Sequence, residues 1–240
     1  MVASTIPPRR AVELALPFTG RWLTQNSPAR RVPSHGVDLW GETYAIDFVG
    51  VDDRGRTAVG SDWRTALATE PPERFVSFGR AILAPADGVV VDAHDGEPDH
   101  RARRSQAALL PYALGQANRV RRGVAAVAGN RLTIALAGDT GFVALAHLRE
   151  GSLRVRVGAT VTTGQWLADC GNSGNSTQPH LHLQVMDDPD WTVARGIPVL
   201  FRRYREWAGR SAAPAVRASG VPGEGAVVEP LPSPGAPLFS

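Results

Sequence analysis

The chain has 240 residues, of which 43% are hydrophobic and 20% charged, so it is long enough for one large globular domain or two small ones. The formal net charge is +3 and every basic residue is Arg; so modest a charge favours anionic surfaces but does not indicate a nucleic-acid partner. No run reaches the ~18–20 apolar residues of a membrane span, and the single cysteine, Cys170, excludes an internal disulfide and a Cys-x-x-Cys metal site.

The first segment, residues 1–33, is predicted to be an N-terminal arm. Within it, Val12, Leu14, Leu16 and Phe18 alternate with other residues, which indicates one short strand laid against the domain. Pro and Arg interrupt the first twenty residues, so the continuous apolar stretch of a secretory signal peptide is not evident. The segment therefore predicts no conventional export signal.

A strand is predicted over Thr43–Val49, which is rich in strand-forming residues. Asp47 lies in the middle of this strand, on the face that also carries the small residues Ala45 and Val49. A carboxylate in such a position is costly to bury unless it is paired or binds a cation. The alternative is an edge strand on which Asp47 faces water.

The middle of the chain combines a predicted hairpin with a polar insertion. Residues 80–93 have the pattern of two strands joined by an Asp-Gly turn. Residues 94–129 form an Arg-rich insertion, in which a short helix is predicted near Ser105–Leu114 and His94 and His100 are interpreted as solvent residues. A solvated loop is the preferred interpretation of the arginines, and a rim that attracts an acidic substrate is the alternative.

Four strand-like runs follow at short spacing, which is typical of an all-β sandwich or barrel. They are Asn130–Leu136, Gly141–Leu148, Leu153–Val157 and Gln165–Asp169. Residues 201–207 are predicted to form a last strand or a short helix. Pro, Gly, Ala and Ser dominate from residue 209 onward, so a disordered tail is predicted over 209–240. The expected architecture is a mostly β, antiparallel, sandwich-like or barrel-like domain over residues 34–208, with long loops.

Residues 171–185, GNSGNSTQPHLHLQV, join a polar loop to an alternating strand. Because residues two apart in a strand share a face, His180 and His182 project side by side, and Leu181 and Leu183 face the core. Two imidazoles at the mouth of a polar loop suit a metal site or a proton-transfer site. The alternative is a pair of surface histidines on a half-exposed strand.

Two further histidines extend this pair to a candidate site. His35 lies in a turn before the Asp47 strand, and His147 lies at the end of a strand. A catalytic zinc takes three protein ligands and keeps one position for water, whose pKa it lowers to about 7. His35, Asp47 and His182 would supply two imidazoles and a carboxylate. His147 and His180 would then handle protons and stabilise the developing oxyanion.

Residues 84–185 carry a set of motifs in a fixed order: APADGVV, GNRLTIAL, AHL, VRVGATVTTGQWLADCGNSGNST and PHLHLQV. In these motifs the chain resembles the lysostaphin-type (LytM-type) zinc endopeptidases, which cut the peptides of bacterial peptidoglycan. The resemblance implies a β-rich fold with a central antiparallel sheet and a groove, a Zn²⁺ cofactor, a peptidoglycan peptide as substrate, and a place in the cell wall or otherwise outside the cytoplasm.

The resemblance also implies roles for individual residues. His182 matches the family's zinc-ligating histidine, and His147 and His180 match its catalytic histidines. Asn130 matches an asparagine near the family's groove, and it is interpreted as a structural or substrate-orienting residue, which makes it the candidate for substrate binding.

The first two ligands depart from the family pattern, which is usually His-x-x-x-Asp. The fourth residue after His35 is Leu39, whereas Asp38 comes three residues after it and Asp47 twelve. We favour Asp47 because its direction is fixed by the pleat of a strand, while Asp38 lies in a turn with a glycine at each end. Asp38 remains the alternative.

Three other functions compete with a zinc peptidase. A non-catalytic relative could bind peptidoglycan or regulate another cell-wall hydrolase, which zinc content would distinguish. The hairpin VRVGATVTTGQWL is similar to that of biotinyl or lipoyl carriers, but these attach their cofactor to Lys, which the chain lacks. A histidine phosphocarrier would need only the histidine pair and not Asp47.

Overall fold

The structure is a computed structural model that describes residues 10–60, 69–103, 121, 123–209 and 212–232. Within these residues there is one α-helix, α1 (Val124–Ala128), and there are two 3-10 turns, Glu42–Tyr44 and Pro72–Arg74. The strands are β1 (Val12–Ala15), β2 (Trp22–Gln25), β3 (Ile46–Gly50), β4 (Ala81–Leu83), β5 (Gly88–His94), β6 (Asn130–Leu136), β7 (Phe142–Leu148), β8 (Thr160–Val161), β9 (Trp166–Asp169), β10 (Leu181–Met186), β11 (Val199–Trp207), β12 (Ala215–Gly220) and β13 (Val227–Pro230).

The strands form one large sheet and one small sheet. The large sheet has eleven strands in the order β1-β11-β13-β2-β3-β10-β7-β6-β5-β8, with β12 beside β11. Neighbouring strands run antiparallel except β1 and β11, which are parallel. The small sheet pairs β4 with β9. The prediction of a mostly β, antiparallel fold is confirmed, and the large sheet stays open instead of closing into a barrel.

The main hydrophobic core lies on one face of β10, the strand that carries the paired histidines. Leu181 and Leu183 are fully buried in the same cluster as Leu167 of β9. Burial of each such side chain stabilises the fold by about 1.5–3 kcal/mol. Because side chains alternate across a strand, His182 and Gln184 lie on the opposite face. The predicted alternation is confirmed.

The predicted N-terminal arm contributes two strands where the sequence predicted one. β1 runs beside β11, and β2 lies between β13 and β3 in the large sheet. The predicted alternating run ends its strand at Ala15, but Leu16 and Phe18 beyond it are buried in the core. β2 matters for the site because it is the neighbour of the strand that carries Asp47.

Two strands near the C-terminus lie where the sequence predicted a disordered tail, so that prediction was wrong for residues 215–230. β12 pairs with β11, and β13 pairs with both β11 and β2. Val228 is fully buried in the core, and the Gly223 N–H donates a 2.8 Å hydrogen bond to the Glu206 carboxylate. The Gly- and Pro-rich parts act as turns between strands, whose ladders satisfy the backbone polar groups. β11 confirms a strand, and not a helix, over residues 201–207.

Other local predictions had mixed outcomes. Residues 153–157 belong to neither sheet, so the predicted strand was wrong, although Leu153 and Val155 pack against the core. The helix predicted near Ser105–Leu114 lies outside the described residues. No helix in the described part of the chain is both long enough and apolar enough to cross a membrane.

Candidate active site

Strands β3 and β10 place Asp47 and His182 face to face. The two residues are direct partners in the antiparallel ladder, and the Nδ1 atom of His182 lies 3.0 Å from Oδ1 of Asp47. Both residues are 6% exposed, so the pair is almost fully removed from water. The strand register therefore fixes this half of the site, because directly opposed side chains in an antiparallel pair lie close together.

His35 reaches the same carboxylate from a loop. Its Nε2 atom lies 3.1 Å from Oδ2 of Asp47, and its Nδ1 atom lies 3.0 Å from the hydroxyl oxygen of Ser34. The Ser34 hydroxyl donates to the carbonyl of Glu42, so its oxygen is free to accept the N–H of His35 Nδ1. A neutral His35 would then present the lone pair of Nε2 toward Asp47.

Asp47, and not Asp38, is the acidic residue beside both histidines. Asp38 accepts a hydrogen bond from the Thr43 hydroxyl on the exposed part of the loop. Asp47 also accepts a 2.8 Å hydrogen bond from the side-chain amide of Asn26. The geometry therefore brings together the three residues that the sequence predicts as ligands, and their role as ligands stays a prediction.

This cluster fits the donor chemistry of zinc. One ligand atom from each of His35, Asp47 and His182 lies within 4.8 Å of the others. Two imidazole nitrogens and one carboxylate oxygen are donors that zinc takes, and three protein ligands are the usual number at a catalytic zinc. All three residues also border the same cavity.

Electrostatic interactions within the cluster shift the pKa values of Asp47 and His182. Burial opposes ionisation of Asp47, but the charges of His35 and His180 and the hydrogen bonds from His182 and His35 hold the pKa of its carboxyl well below the usual range. Burial also opposes the charged form of His182, yet the hydrogen bond and charge of Asp47 outweigh it and raise the pKa of His182 to about 9. The buried Asp47 carboxylate therefore favours a positive charge beside it.

His147 and His180 form a second pair beside the cluster, with ring centroids 4.6 Å apart. The Nδ1–H of His147 donates to the carbonyl of Ser173 at 3.0 Å, and that of His180 donates to the carbonyl of Gln178 at 2.8 Å. A backbone carbonyl only accepts, so each ring carries its proton on Nδ1 and keeps the lone pair on Nε2. His147 adopts the left-handed backbone conformation, with φ of 59°, a strain that functional positions often store.

The second pair is held neutral by its surroundings. Burial lowers the pKa of His147 well below its ordinary value, and the neighbouring charges of His180 and His182 lower it further. Burial is also the largest cause of the lowered pKa of His180, although the charge of Asp47 opposes it. Both imidazoles are therefore proton acceptors near neutral pH.

A groove of about 310 Å³ joins the two sets of residues. One side is built from the loop between His35 and Asp47, in which Val37 and Leu39 are 46% and 49% exposed. The lining residues are Asn26, His35, Val37, Leu39, Trp40, Glu42, Asp47, Val127, Ala128, Ala146, His147, Asn175, Thr177, His180, His182 and Trp191. The groove therefore borders His35 and His182 as well as His147 and His180.

Asn130 is fully buried and does not line the groove. Its side-chain oxygen accepts the Glu97 N–H at 2.8 Å, and its amide group donates to the carbonyls of Glu97 and Leu148 at 2.8 and 3.1 Å. Its own N–H donates to the hydroxyl of Ser173, the residue whose carbonyl holds His147. The structural interpretation fits this arrangement, because the side-chain oxygen and nitrogen of Asn130 are already engaged, and a substrate-orienting role stays a prediction.

The structure describes both histidines and some of the arginines of the Arg-rich insertion, residues 94–129. His100 was interpreted as a solvent residue, but its Nε2 atom lies 2.9 Å from the carbonyl of Gly174 in the loop before β10. His94 lies 3.4 Å from Glu97 and outside the groove. Arg101 donates to Thr69 and Arg103 to the carbonyl of Arg101, so neither of these described arginines lines the groove.

Three residues in contact with the cluster were not predicted, namely Asn26, Ser34 and Gln184. Gln184 accepts from Nε2 of His182 at 2.9 Å, and the alternation of β10 could have found it, since it lies two residues after His182. Asn26 is 21 residues from Asp47 and reaches it through the pairing of β2 with β3, which no local pattern in the sequence reveals.

The model of peptidase family M23 matches residues 74–193, half of the chain. His147, His180 and His182 lie inside the matched residues, and His35 and Asp47 precede them. No curated protein matches the sequence.

Several solved structures are similar to the chain. The catalytic domain of the antimicrobial peptidase lysostaphin from Staphylococcus simulans has 16% identity and a TM-score of 0.37, and the match covers 74% of this chain and 88% of that one. A mutant catalytic domain of the prophage-encoded M23 protein EnpA from Enterococcus faecalis has 16% identity and a TM-score of 0.36, with 64% and 73% covered. The M23 metalloprotease pseudoalterin, from the deep sea, has 13% identity and a TM-score of 0.39, with 79% and 76% covered.

Proposed function

The chain belongs to peptidase family M23, and from that premise we propose that it is a zinc-dependent endopeptidase that hydrolyses peptide bonds in bacterial peptidoglycan. The observation that carries the proposal is the geometry of His35, Asp47 and His182, whose ligand atoms lie within 4.8 Å of one another, with His147 and His180 beside them in one groove. The motifs shared with the lysostaphin-type enzymes support peptidoglycan peptides as the substrate.

In this proposal His35, Asp47 and His182 hold the zinc. When bound, zinc would supply a Lewis acid that polarises the scissile carbonyl and makes water a better nucleophile near neutral pH. Asn26 and Ser34 orient two of the ligands, because Asn26 donates to Oδ2 of Asp47 and Ser34 accepts from His35. The proton on Nδ1 of His35 is thereby directed away from the centre of the cluster.

His147 and His180 handle the protons. Each presents an Nε2 lone pair, because its Nδ1–H is engaged with a backbone carbonyl. As water attacks the carbonyl carbon, one of these nitrogens accepts the proton that the water loses. That protonated imidazole can hydrogen-bond to the oxyanion, and it then transfers its proton to the nitrogen of the departing amine, which completes cleavage of the C–N bond.

The test is a digest of purified peptidoglycan by protein loaded with one equivalent of zinc. We expect new free amino groups to appear with time, to stop after chelation and to return when zinc is restored. The matched control is Asp47→Asn, prepared in the same way. Zinc-loaded protein that binds the polymer but releases no amino groups beyond this control would contradict the proposal and favour the non-catalytic alternative.

A further inference from the structure

Gln184 makes three contacts that connect the candidate metal cluster to the loop beside it. The side chain is fully buried on β10, on the same face as His182. Its oxygen lies 2.9 Å from Nε2 of His182, and its nitrogen donates to the carbonyl of Trp40 at 2.7 Å and to the sulfur of Met186 at 2.8 Å. A buried amide with both ends engaged is held in one orientation.

The chemistry of these partners fixes where the protons lie. The Trp40 carbonyl can only accept, so it must face the NH₂ group of Gln184, and the amide oxygen must face His182. An amide oxygen also only accepts, so Nε2 of His182 must carry a proton. In the neutral ring the lone pair is then on Nδ1, the atom 3.0 Å from Asp47.

The same side chain holds down the unusually long connection between His35 and Asp47. Trp40 and Gly41 both have left-handed backbone conformations, with φ of 53° and 79°. A Cβ atom on Gly41 would lie 2.8 Å from Cγ of Met186 and 3.2 Å from the nitrogen of Gln184. The loop therefore packs directly against Gln184 and Met186 of β10.

We propose that Gln184 is a positioning residue for the metal site, which selects the metal-binding tautomer of His182 and anchors the loop that follows His35. The inference rests on the proposed function, since it concerns the residues that would hold zinc. Partners that orient metal-ligating histidines typically change metal affinity about 10–100-fold when they are removed.

Two substitutions separate this role from simple packing. Gln184→Met keeps the length and shape of the side chain but removes the acceptor for Nε2–H of His182. Gln184→Glu keeps the acceptor for Nε2–H of His182 but loses the donor to the Trp40 carbonyl, so it separates the tautomer of His182 from the anchoring of the loop. The control is Thr24→Val, which replaces another fully buried polar side chain, on β2, without touching the cluster.

The measurement is the zinc dissociation constant of each folded, metal-free protein, obtained by competition with a chromophoric chelator. We expect Gln184→Met to bind zinc about 10–100-fold more weakly than the parent, while Gln184→Glu and Thr24→Val stay within a few-fold of it. Equal affinity of Gln184→Met and the parent would overturn the inference. Equal loss in Gln184→Met and Gln184→Glu would also overturn it, because the acceptor that Glu retains for His182 would then have no effect on zinc binding.

A measurement on the unmodified protein covers the case in which Gln184→Met does not fold. Nitrogen-15 NMR of the zinc-loaded parent should show a proton on Nε2 of His182 and none on Nδ1. A proton on Nδ1 would contradict the tautomer assignment. If the parent itself bound no zinc, the proposed function would fail, an outcome distinct from a parent that binds zinc and variants that match it.

Discussion

His180 and His182 are two residues apart and border the same groove, but they lie in different electrostatic surroundings. Burial opposes the charged form of both rings. For His182 a carboxylate oxygen of Asp47 at 3.0 Å outweighs burial and raises the pKa to about 9. His180 is 3.8 Å from the same oxygen, and burial prevails, so its pKa is lowered.

The difference divides the groove into a charged half, formed by His35, Asp47 and His182, and a neutral half, formed by His147 and His180. His35 shares the carboxylate with His182, whereas His147 packs on His180 and donates to a backbone carbonyl. The half that shares a carboxylate suits a cation, and the half without one suits proton transfer. The distance from the buried carboxylate of Asp47 therefore separates the candidate roles of two neighbouring residues, cation binding for His182 and proton transfer for His180.

The largest expected effect is the removal of that carboxylate. Asp47→Asn should weaken zinc binding by more than the about 10–100-fold typical of a residue that only orients a ligand, because it removes both a ligand and the negative charge that holds the cluster. Asp38→Asn is the matched control and should keep its zinc. Metal analysis after gel filtration compares them. Loss of zinc in Asp38→Asn with retention in Asp47→Asn would reverse the assignment.

Removing either neutral histidine should affect turnover and leave the metal in place. We expect His147→Ala and His180→Ala to lower kcat about 10²–10⁴-fold, the usual contribution of a positioned acid or base, with unchanged zinc content. His94→Ala, outside the groove, is the control and should behave like the parent. If either active-site variant lost its zinc, the division into two halves would not hold.

The pKa of His182 and the pKa values of His147 and His180 should be shifted in opposite directions in the metal-free protein. NMR should find the pKa of His182 above 6.5, near 9, and the pKa values of His147 and His180 below 6.5. A raised pKa means that the contribution of His182 to stability is fully present below pH 6.5 and is lost as pH rises through about 9.

Denaturant unfolding of the metal-free protein at pH 6.5 and at pH 9.5 would measure this loss, which we expect to be on the order of 3 kcal/mol. The lowered pKa values of His147 and His180 have the reverse consequence. Their contribution is present above pH 6.5 and is lost as pH falls below it. A pKa of His147 higher than that of His182 would contradict the comparison.

The smallest expected effect on catalysis is that of Asn130, which supports His147 through a hydrogen bond to Ser173. Asn130→Ala leaves buried carbonyls and an N–H without their partner, so we expect the free energy of unfolding to fall by about 1–3 kcal/mol with KM unchanged. Asn175→Ala is the contrasting variant, since Asn175 lines the groove and its loss should change KM. A raised KM in Asn130→Ala would support the predicted role of Asn130 in substrate binding.

The charged half could largely be predicted from the sequence, because strand periodicity is a local property. The alternation of His182 with Leu181 and Leu183 indicates which side chains share a face, and the structure confirms it. The strand predicted over Thr43–Val49 begins only at Ile46, because Glu42–Tyr44 form a 3-10 turn, so Asp47 is its second residue and not a middle one. The register of β3 still places Asp47 opposite His182.

The features that the sequence did not predict depend on contacts between distant parts of the chain. The hydrogen bond from Asn26 and the burial of Asn130 follow from sheet order, and the sequence contains no local signal for either. The strands β12 and β13 were missed because a Gly- and Pro-rich composition predicts disorder unless a partner strand is known, and that partner, β11, is itself recognised only weakly.

The most direct test of the central claim is the metal content and coordination of protein purified without chelator. Elemental analysis and zinc K-edge X-ray absorption should give one zinc per chain, bound by two imidazole nitrogens and a carboxylate oxygen at about 2.0–2.2 Å. Protein without stoichiometric zinc, or zinc held by three or more imidazoles, would contradict the assignment of His35, Asp47 and His182 as its ligands.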